Sequence, residues 1–247
     1  MNVTRPTLIL AVAVTSLLTS CATSRVEYID AQVAPAIANP GTVVVAGIVA
    51  RDSSCVLPQS EQEKILHRLE KKLSQKRRKK EVMSHVTFEG LVGRTRSVGG
   101  GSSGSISYVL TPGQVSRAKK IRAQFALVIV VNAGETWCDV DESCTHHEEP
   151  IYDKEGNVVD CRHWTEYTTT SRAHRSMHAD YLLYDLSNGK KVWACSSKHN
   201  EANSRSACSE FGYPLPPPHP APPLVADVMD NMSNSAMRKF PRPGNRF

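Results

Sequence analysis

The chain reads as an α/β (or α+β) protein built on a single sheet, with a late β-hairpin, helices packed on the sheet, a disulfide-stapled excursion and a C-terminal helix. Three observations predict this. Two continuous β-branched runs, TVVVAGIVA (42–50) and FALVIVV (125–131), have the composition of strands buried on both faces. Helical spacings alternate with them. Later, Asn188-Gly189 separates YLLYDL from KKVWAC, a hairpin signal flanked by β-rich runs.

The elements follow in order. Residues 22–40 (ATSRVEYIDAQVAPAIANP) have small residues, two prolines and no sustained period, and are expected to be a tether. The run 42–50 is the first buried strand. Ser60 and Glu63 form a capping box, and Ile65, Leu66, Leu69 and Leu73 follow at helical spacing, predicting a helix over 61–75. VMSHVTFEG (82–90) alternates Val82, Val86 and Phe88 with polar residues, the pattern of a half-buried strand. GRTRSVGGGSSGSIS (93–107) is expected to be a flexible loop. Thr111-Pro112 gives an N-cap followed by proline at the first helical position, with Val115, Ala118 and Ile121 as the apolar stripe. After 125–131 comes a cysteine-rich excursion, 133–164. A two-residue turn at Asn188-Gly189 would set Tyr184 opposite Trp193 and Leu182 opposite Cys195. PLPPPHPAPP (214–223) is expected to be a semi-rigid polyproline spacer. Leu224, Val225, Val228, Met229, Met232 and Met237 then mark a terminal helix within 224–247.

The first residues carry one cation, Arg5, and an apolar run from Leu8 to Leu18 with the proportions of a signal peptide (1–20) rather than a membrane span. The run ends in Leu18-Thr19-Ser20-Cys21, which resembles the lipobox of bacterial lipoproteins. The resemblance implies cleavage after Ser20 and acylation of Cys21, a lipidated tether over 21–40, and the main domain over 41–213. Several acyl chains make a stable anchor. Ala22 stands where aspartate would mark inner-membrane retention, so the outer membrane, facing the periplasm, is the expected address. The covalent lipid on Cys21 is the sole attached group the sequence calls for, and no other cofactor is expected.

An exported chain places its cysteines in an oxidising compartment. Six remain after Cys21: Cys55, Cys138, Cys144, Cys161, Cys195 and Cys208, enough for up to three disulfides. If the strands around WC (137–138) and CRHW (161–164) pair antiparallel, Cys138 meets Cys161 at the base of the excursion and Trp137 becomes a neighbour of Trp164. Such a staple is worth roughly 3 kcal/mol in the chain-entropy model. Cys195 and Cys208 flank a polar loop that they could close. The competing reading is a zinc-type site from Cys138, Cys144, His146, His147, Cys161 and His163. The spacings do not match a knuckle, since five residues separate Cys138 from Cys144 and one separates Cys161 from His163.

Other motifs carry less. His174 and His178 have the i, i+4 spacing of a helical metal pair, but the flanking sequence is strand-like, where that spacing spans about 13 Å. Gly99, Gly101 and Gly104 match a dinucleotide fingerprint by spacing, and Gly100-x-Ser102-x-Gly104 matches a nucleophile elbow. Neither is followed by a helix, so no catalytic residue is assigned and a hydrolase is not expected. The chain has a formal charge of +6, much of it in KKLSQKRRKK (71–80). Lys76, Arg77, Arg78, Lys79 and Lys80 fall at a helix C-terminus, where cations suit the dipole, and could touch anionic lipid or an acidic envelope partner. Modest charge and export together exclude nucleic acid as the main partner.

The order of elements, with Asp185, Gly189, Lys190, Val192 and Trp193 late in the chain, is similar to envelope lipoproteins with a TolB-amino-terminal-like α/β domain. These include curli secretion-channel lipoproteins and lipoprotein activators of peptidoglycan synthases. The resemblance implies a non-catalytic, lipid-anchored binding or assembly module for envelope proteins or the cell wall. The long apolar-alternating hairpins of a channel former are not seen, so pore formation is not carried over. Oligomeric state is not set by the sequence.

Overall fold

A computed structural model describes residues 22–38, 42–51, 55–75, 81–93, 97–98, 107–108, 111–121 and 123–241. The signal segment and Cys21, the glycine run 99–106 and the basic residues Lys76, Arg77, Arg78, Lys79 and Lys80 lie outside them. The elements are β1 (Thr23–Ile29), α1 (Ala34–Ala38), β2 (Thr42–Ala50), α2 (Gln59–Ser74), β3 (Glu81–Met83), α3 (His85–Val92), β4 (Ser97–Val98), β5 (Ser107–Tyr108), α4 (Pro112–Lys120), β6 (Phe125–Tyr152), β7 (Val158–Asp185), β8 (Lys191–Ser209) and α5 (Val225–Arg238). The fold is the expected mixed α/β arrangement: one six-stranded sheet, ordered β1-β8-β7-β6-β2-β3, with helices packed on it and a terminal helix. β4 and β5 form a separate two-stranded ladder that brackets the glycine run.

The chain divides into two compact units. One gathers Thr136–His174 and Ala202–Pro223, and the remaining described residues form the other. The larger unit has the predicted parallel core. β2 pairs in parallel with both β3 and β6, which explains why the two runs are apolar without alternation. Val43, Val45, Leu127 and Ile129 face α2 and α5, while Val44, Ala46, Val128 and Val130 face α3 and α4. The parity of β2 changes at a bulge between Val45 and Gly47, where Gly47 takes φ 146°, a conformation glycine reaches without strain.

α2 buries Ile65, Leu66, Leu69 and Leu73 as its spacing predicts. Its expected capping box is absent: Pro58 is the N-cap and Glu63 instead accepts from Gln59 Nε2 at 2.9 Å. α4 does carry its cap, with Thr111 accepting from the Gln114 amide and Gln114 returning the bond. α5 lies against α2 through Arg68–Asp227 at 2.8 Å and Lys72–Asp230. It also closes over the sheet, where the Tyr181 hydroxyl meets Ser233 Oγ at 3.0 Å. Tyr181 is wholly buried, and desolvation pushes its pKa far above the phenol value.

Four expectations are corrected. The supposed tether over 21–40 holds a strand: β1 runs antiparallel to β8 from Thr23↔Lys198 to Ile29↔Trp193, and Ser197 Oγ donates to the Thr23 carbonyl at 3.1 Å. The sequence VEYI has enough β-branched and aromatic character to form it. The half-buried strand over 82–90 is mostly helix α3, started by Ser84 accepting from the Thr87 amide and packed through Phe88 and Val92, four apart. Tyr184 does not face Trp193. The loop is longer than two residues, with Asp185 N bonded to Lys190 O, so Trp193 joins the α2/α5 side of the sheet and Tyr184 the other. The Asp185 carboxylate holds this loop by accepting from the Ser187 amide, and Gly189 takes φ 72°. Finally, 133–164, expected as a cysteine-rich excursion, is built mostly of strand: β6 and β7 extend through it as 28-residue strands.

Candidate binding surface

The smaller unit, called the arm below, is made by β6 and β7 between Thr136 and His174 together with residues 202–223, which include the end of β8. Its turn is fixed by one residue. Asp153 Oδ1 accepts from the amides of Glu155 and Asn157 at 2.8 and 2.9 Å, and Gly156 takes φ 87°. Asn157 is the first cause, by its backbone bond, of Asp153 holding its proton more weakly than an ordinary carboxyl.

From that turn the register follows. Trp137 stacks on His174 with centroids 4.8 Å apart, and His147 stacks on Trp164 at 4.9 Å. Each histidine also meets a carboxylate: His174 Nε2 to Asp139 at 3.0 Å and His147 Nε2 to Glu166 at 3.1 Å. Arg162 lies over the Trp164 ring at 5.5 Å, and Arg172 pairs with Asp141 at 3.0 Å. These residues alternate along both strands and so share one face.

The opposite face of β7 is covered from within the chain. Residues 214–223, expected as a spacer, run along it instead. Polyproline has no internal hydrogen bonds, so its carbonyls are free to accept. Thr169 Oγ1 donates to Pro214 O at 2.9 Å, Ser171 Oγ donates to Pro217 O, and Asn203 Nδ2 donates to Ala221 O at 2.8 Å. Tyr167 and Tyr213 meet edge to face at 5.0 Å. Thr169 and Ser171 have no exposed surface, and these bonds satisfy them.

The disulfide staple is corrected by this register. Cys161 lies against Glu148, whose contact raises the thiol pKa, and Glu148 is ten residues along β6 from Cys138, about 33 Å in an extended strand. The two sulfurs are far outside bonding reach, and Trp137 and Trp164 each stack on a histidine instead of meeting. Cys195 and Cys208 lie thirteen residues apart on the one strand β8 and cannot close a loop between them. Cys195 is buried and burial pushes its thiol up to about 11; Cys208 touches Thr168 at 3.5 Å. Cys55 is buried and Cys144 exposed, and Cys138, Cys144, Cys161, Cys195 and Cys208 are free thiols.

Nor does the arm assemble the zinc-type set. His146 bonds Thr165 and His147 bonds Glu166, neighbouring residues on opposite faces of the strand. No group of three or more His, Cys, Asp or Glu among the described residues is placed to hold a metal. His174 and His178 lie on strand β7, as the flanking sequence predicts, and His178 meets Ser196 at 2.8 Å.

What the sequence reading missed is charge segregation. Residues 136–174 hold nine carboxylates (Asp139, Asp141, Glu142, Glu148, Glu149, Asp153, Glu155, Asp160, Glu166) against Lys154, Arg162 and Arg172, a net −6 in a chain of net +6. A charge count by segment would have found it. Among the described residues no helix is long and apolar enough to cross a membrane.

No family model matches this chain, and no curated protein matches it. Among solved structures, the PelC dodecamer from Paraburkholderia phytofirmans overlaps with a TM-score of 0.39 and 12% identity, over 90% of this chain and 98% of that one. The hypothetical protein CT253 from Chlamydia trachomatis reaches 0.29 at 10% identity, over 66% and 73%. A neuraminyllactose-binding hemagglutinin homolog from Helicobacter pylori reaches 0.28 at 10%, over 85% and 87%. Overlaps this loose carry no argument about what the chain does.

Proposed function

We propose that this chain is a lipid-anchored cell-envelope lipoprotein that works as a non-catalytic binding or assembly module, recruiting or holding an envelope protein or the cell wall. The observation that carries the binding part is the arm, which concentrates net −6 in 39 residues and exposes Trp137 to 40%. Exposed aromatic and charged groups on a hydrogen-bonded strand pair suit recognition, since the backbone is already ordered before contact. The anchor rests on Leu18-Thr19-Ser20-Cys21, with acyl chains on Cys21 holding the domain at the outer membrane, facing the periplasm.

The test has two arms. Metabolic palmitate labelling is expected to tag the wild-type chain and not Cys21→Ser, and fractionation is expected to move the variant from membrane to soluble periplasm. Unlabelled wild type would remove the anchor. For the binding part, replacing Glu142, Glu148 and Glu149 with lysine is expected to abolish partner recovery while the chain stays folded and membrane-bound. Undiminished recovery would remove the arm from the interface.

A further inference from the structure

We infer that the outer edge of β6 between Asp139 and Glu149 is a docking edge for an extended, lysine- or arginine-bearing segment of a partner protein, which adds to the arm as a further strand. This rests on the reading of the chain as a binding module, but not on the lipid anchor.

The edge is open. In the sheet β6 has β7 on one side and β2 on the other, and the β2 pairing ends at Ala50↔Val131. Beyond Val131 no described strand pairs with that side. In an antiparallel pair every second residue turns its N–H and C=O away from its partner, so eleven residues leave about five outward sets. All of residues 139–149 are exposed except the half-buried His147. A long, unpaired edge of this kind is a template for another strand.

Charge decides which strand fits. Asp139, Asp141, Glu142, Glu148 and Glu149 lie on the segment, and no lysine or arginine does from Val131 to Tyr152. Among the described residues, Asp141 pairs with Arg172 and Asp139 meets the His174 ring, while Glu142, Glu148 and Glu149 have no lysine or arginine in ion-pair contact. Pairing with the same edge of a second copy would set five carboxylates against five, and like charges across a ladder repel. A segment with basic side chains at alternate positions would instead meet the carboxylates of one face, Asp139, Asp141 and Glu149 or Glu142 and Glu148, while its backbone completes the ladder. Main-chain bonds then supply affinity and alternate side chains supply selectivity. The acidic edge thus rejects its own kind and accepts an opposite one.

The experiment uses the full chain and three ten-residue peptides: alternating Lys-Thr, the same peptide N-methylated at every residue, and alternating Glu-Thr. Calorimetry measures binding and amide exchange locates it. The Lys-Thr peptide is expected to bind, to slow exchange at β6 amides between Asp139 and Glu149, and to lose at least tenfold in affinity with the Glu142→Lys/Glu149→Lys variant at unchanged melting temperature. The N-methylated peptide keeps every charge but has no N–H to donate, and is expected to bind at least tenfold more weakly. The Glu-Thr peptide is expected not to bind. Equal binding by the N-methylated peptide would reduce the effect to charge attraction and overturn strand addition. Protection elsewhere, or no binding of the Lys-Thr peptide, would also overturn it. So would β6 amides already protected in a concentration-dependent oligomer, because a second copy would then occupy the edge.

Discussion

Thr169→Val is the sharpest probe of the docked polyproline segment. The substitution keeps the β-branched shape and removes only the hydroxyl. Thr169 is fully buried and its Oγ1 donates to the Pro214 carbonyl at 2.9 Å. Pro214 is half-buried and its carbonyl accepts from a fully buried residue, so the lost donor leaves a part-buried acceptor without its partner. That costs about 1–3 kcal/mol. Ser171→Ala removes the matching bond to Pro217 and is expected to cost a similar amount. The two residues are neighbours on one face and hold one segment, so the double variant is expected to lose less than the sum of the singles. Urea unfolding followed by tryptophan fluorescence is the assay, since Trp137 and Trp164 both lie in this unit. The control is Thr168→Val, whose hydroxyl touches Cys208 Sγ at an exposed site and should cost under about 0.5 kcal/mol. If Thr169→Val and Ser171→Ala also fall within that margin, the carbonyls are hydrated and the segment is not docked as described.

Three further outcomes are expected. Trp193→Ala empties a fully buried site packed edge to face on Phe240 and should cost about 3–5 kcal/mol by thermal unfolding; a loss below 1 kcal/mol would contradict the core as drawn. His199 is buried beneath α5, and desolvation lowers its pKa, while Glu201 opposes that shift. The folded state therefore takes up its proton at lower pH than the unfolded chain, so this contribution is complete above about 6.5 and is lost as pH falls below it. Melting temperature should fall less between pH 7.5 and 5 in His199→Gln than in wild type; equal slopes would refute the assignment. Peptide mapping without reductant should find no Cys138–Cys161 or Cys195–Cys208 crosslink, and native thiol labelling should reach Cys144 and Cys208 long before Cys195. Finding either crosslink would overturn the strand register.

How far the sequence reports the structure depends on what buries each element. β2 and the start of β6 are covered on both faces, so their apolar runs are unambiguous, and α2, α4 and α5 declare themselves by spacing or cap. The bulge at Gly47 is invisible for the same reason, since a run that is apolar throughout carries no parity. Residues 82–90 mislead because nine residues fit a period of 2 or 3.6 almost equally; Ser84 as a cap, with Phe88 and Val92 four apart, was the better signal. The arm fails differently. Its faces meet solvent or a polyproline segment rather than an apolar core, so polar residues at Thr169 and Ser171 are buried without any hydrophobic alternation. Its register was legible in turn chemistry, in Asp153 and Gly156 of DKEGN, and was obscured by matching cysteines to each other instead. The binding surface was therefore the least visible part, although its charge was countable from the start.

The most direct test of the account is site-specific photo-crosslinking in living cells that export the chain. A photoreactive residue at Val140 or Glu142, adjacent and exposed on the acidic strand, is expected to trap one and the same envelope protein. The same group at Lys64, exposed on α2, is expected to trap none. A silent arm, or equal capture from Lys64, would contradict the assignment of the arm as the surface through which this protein binds.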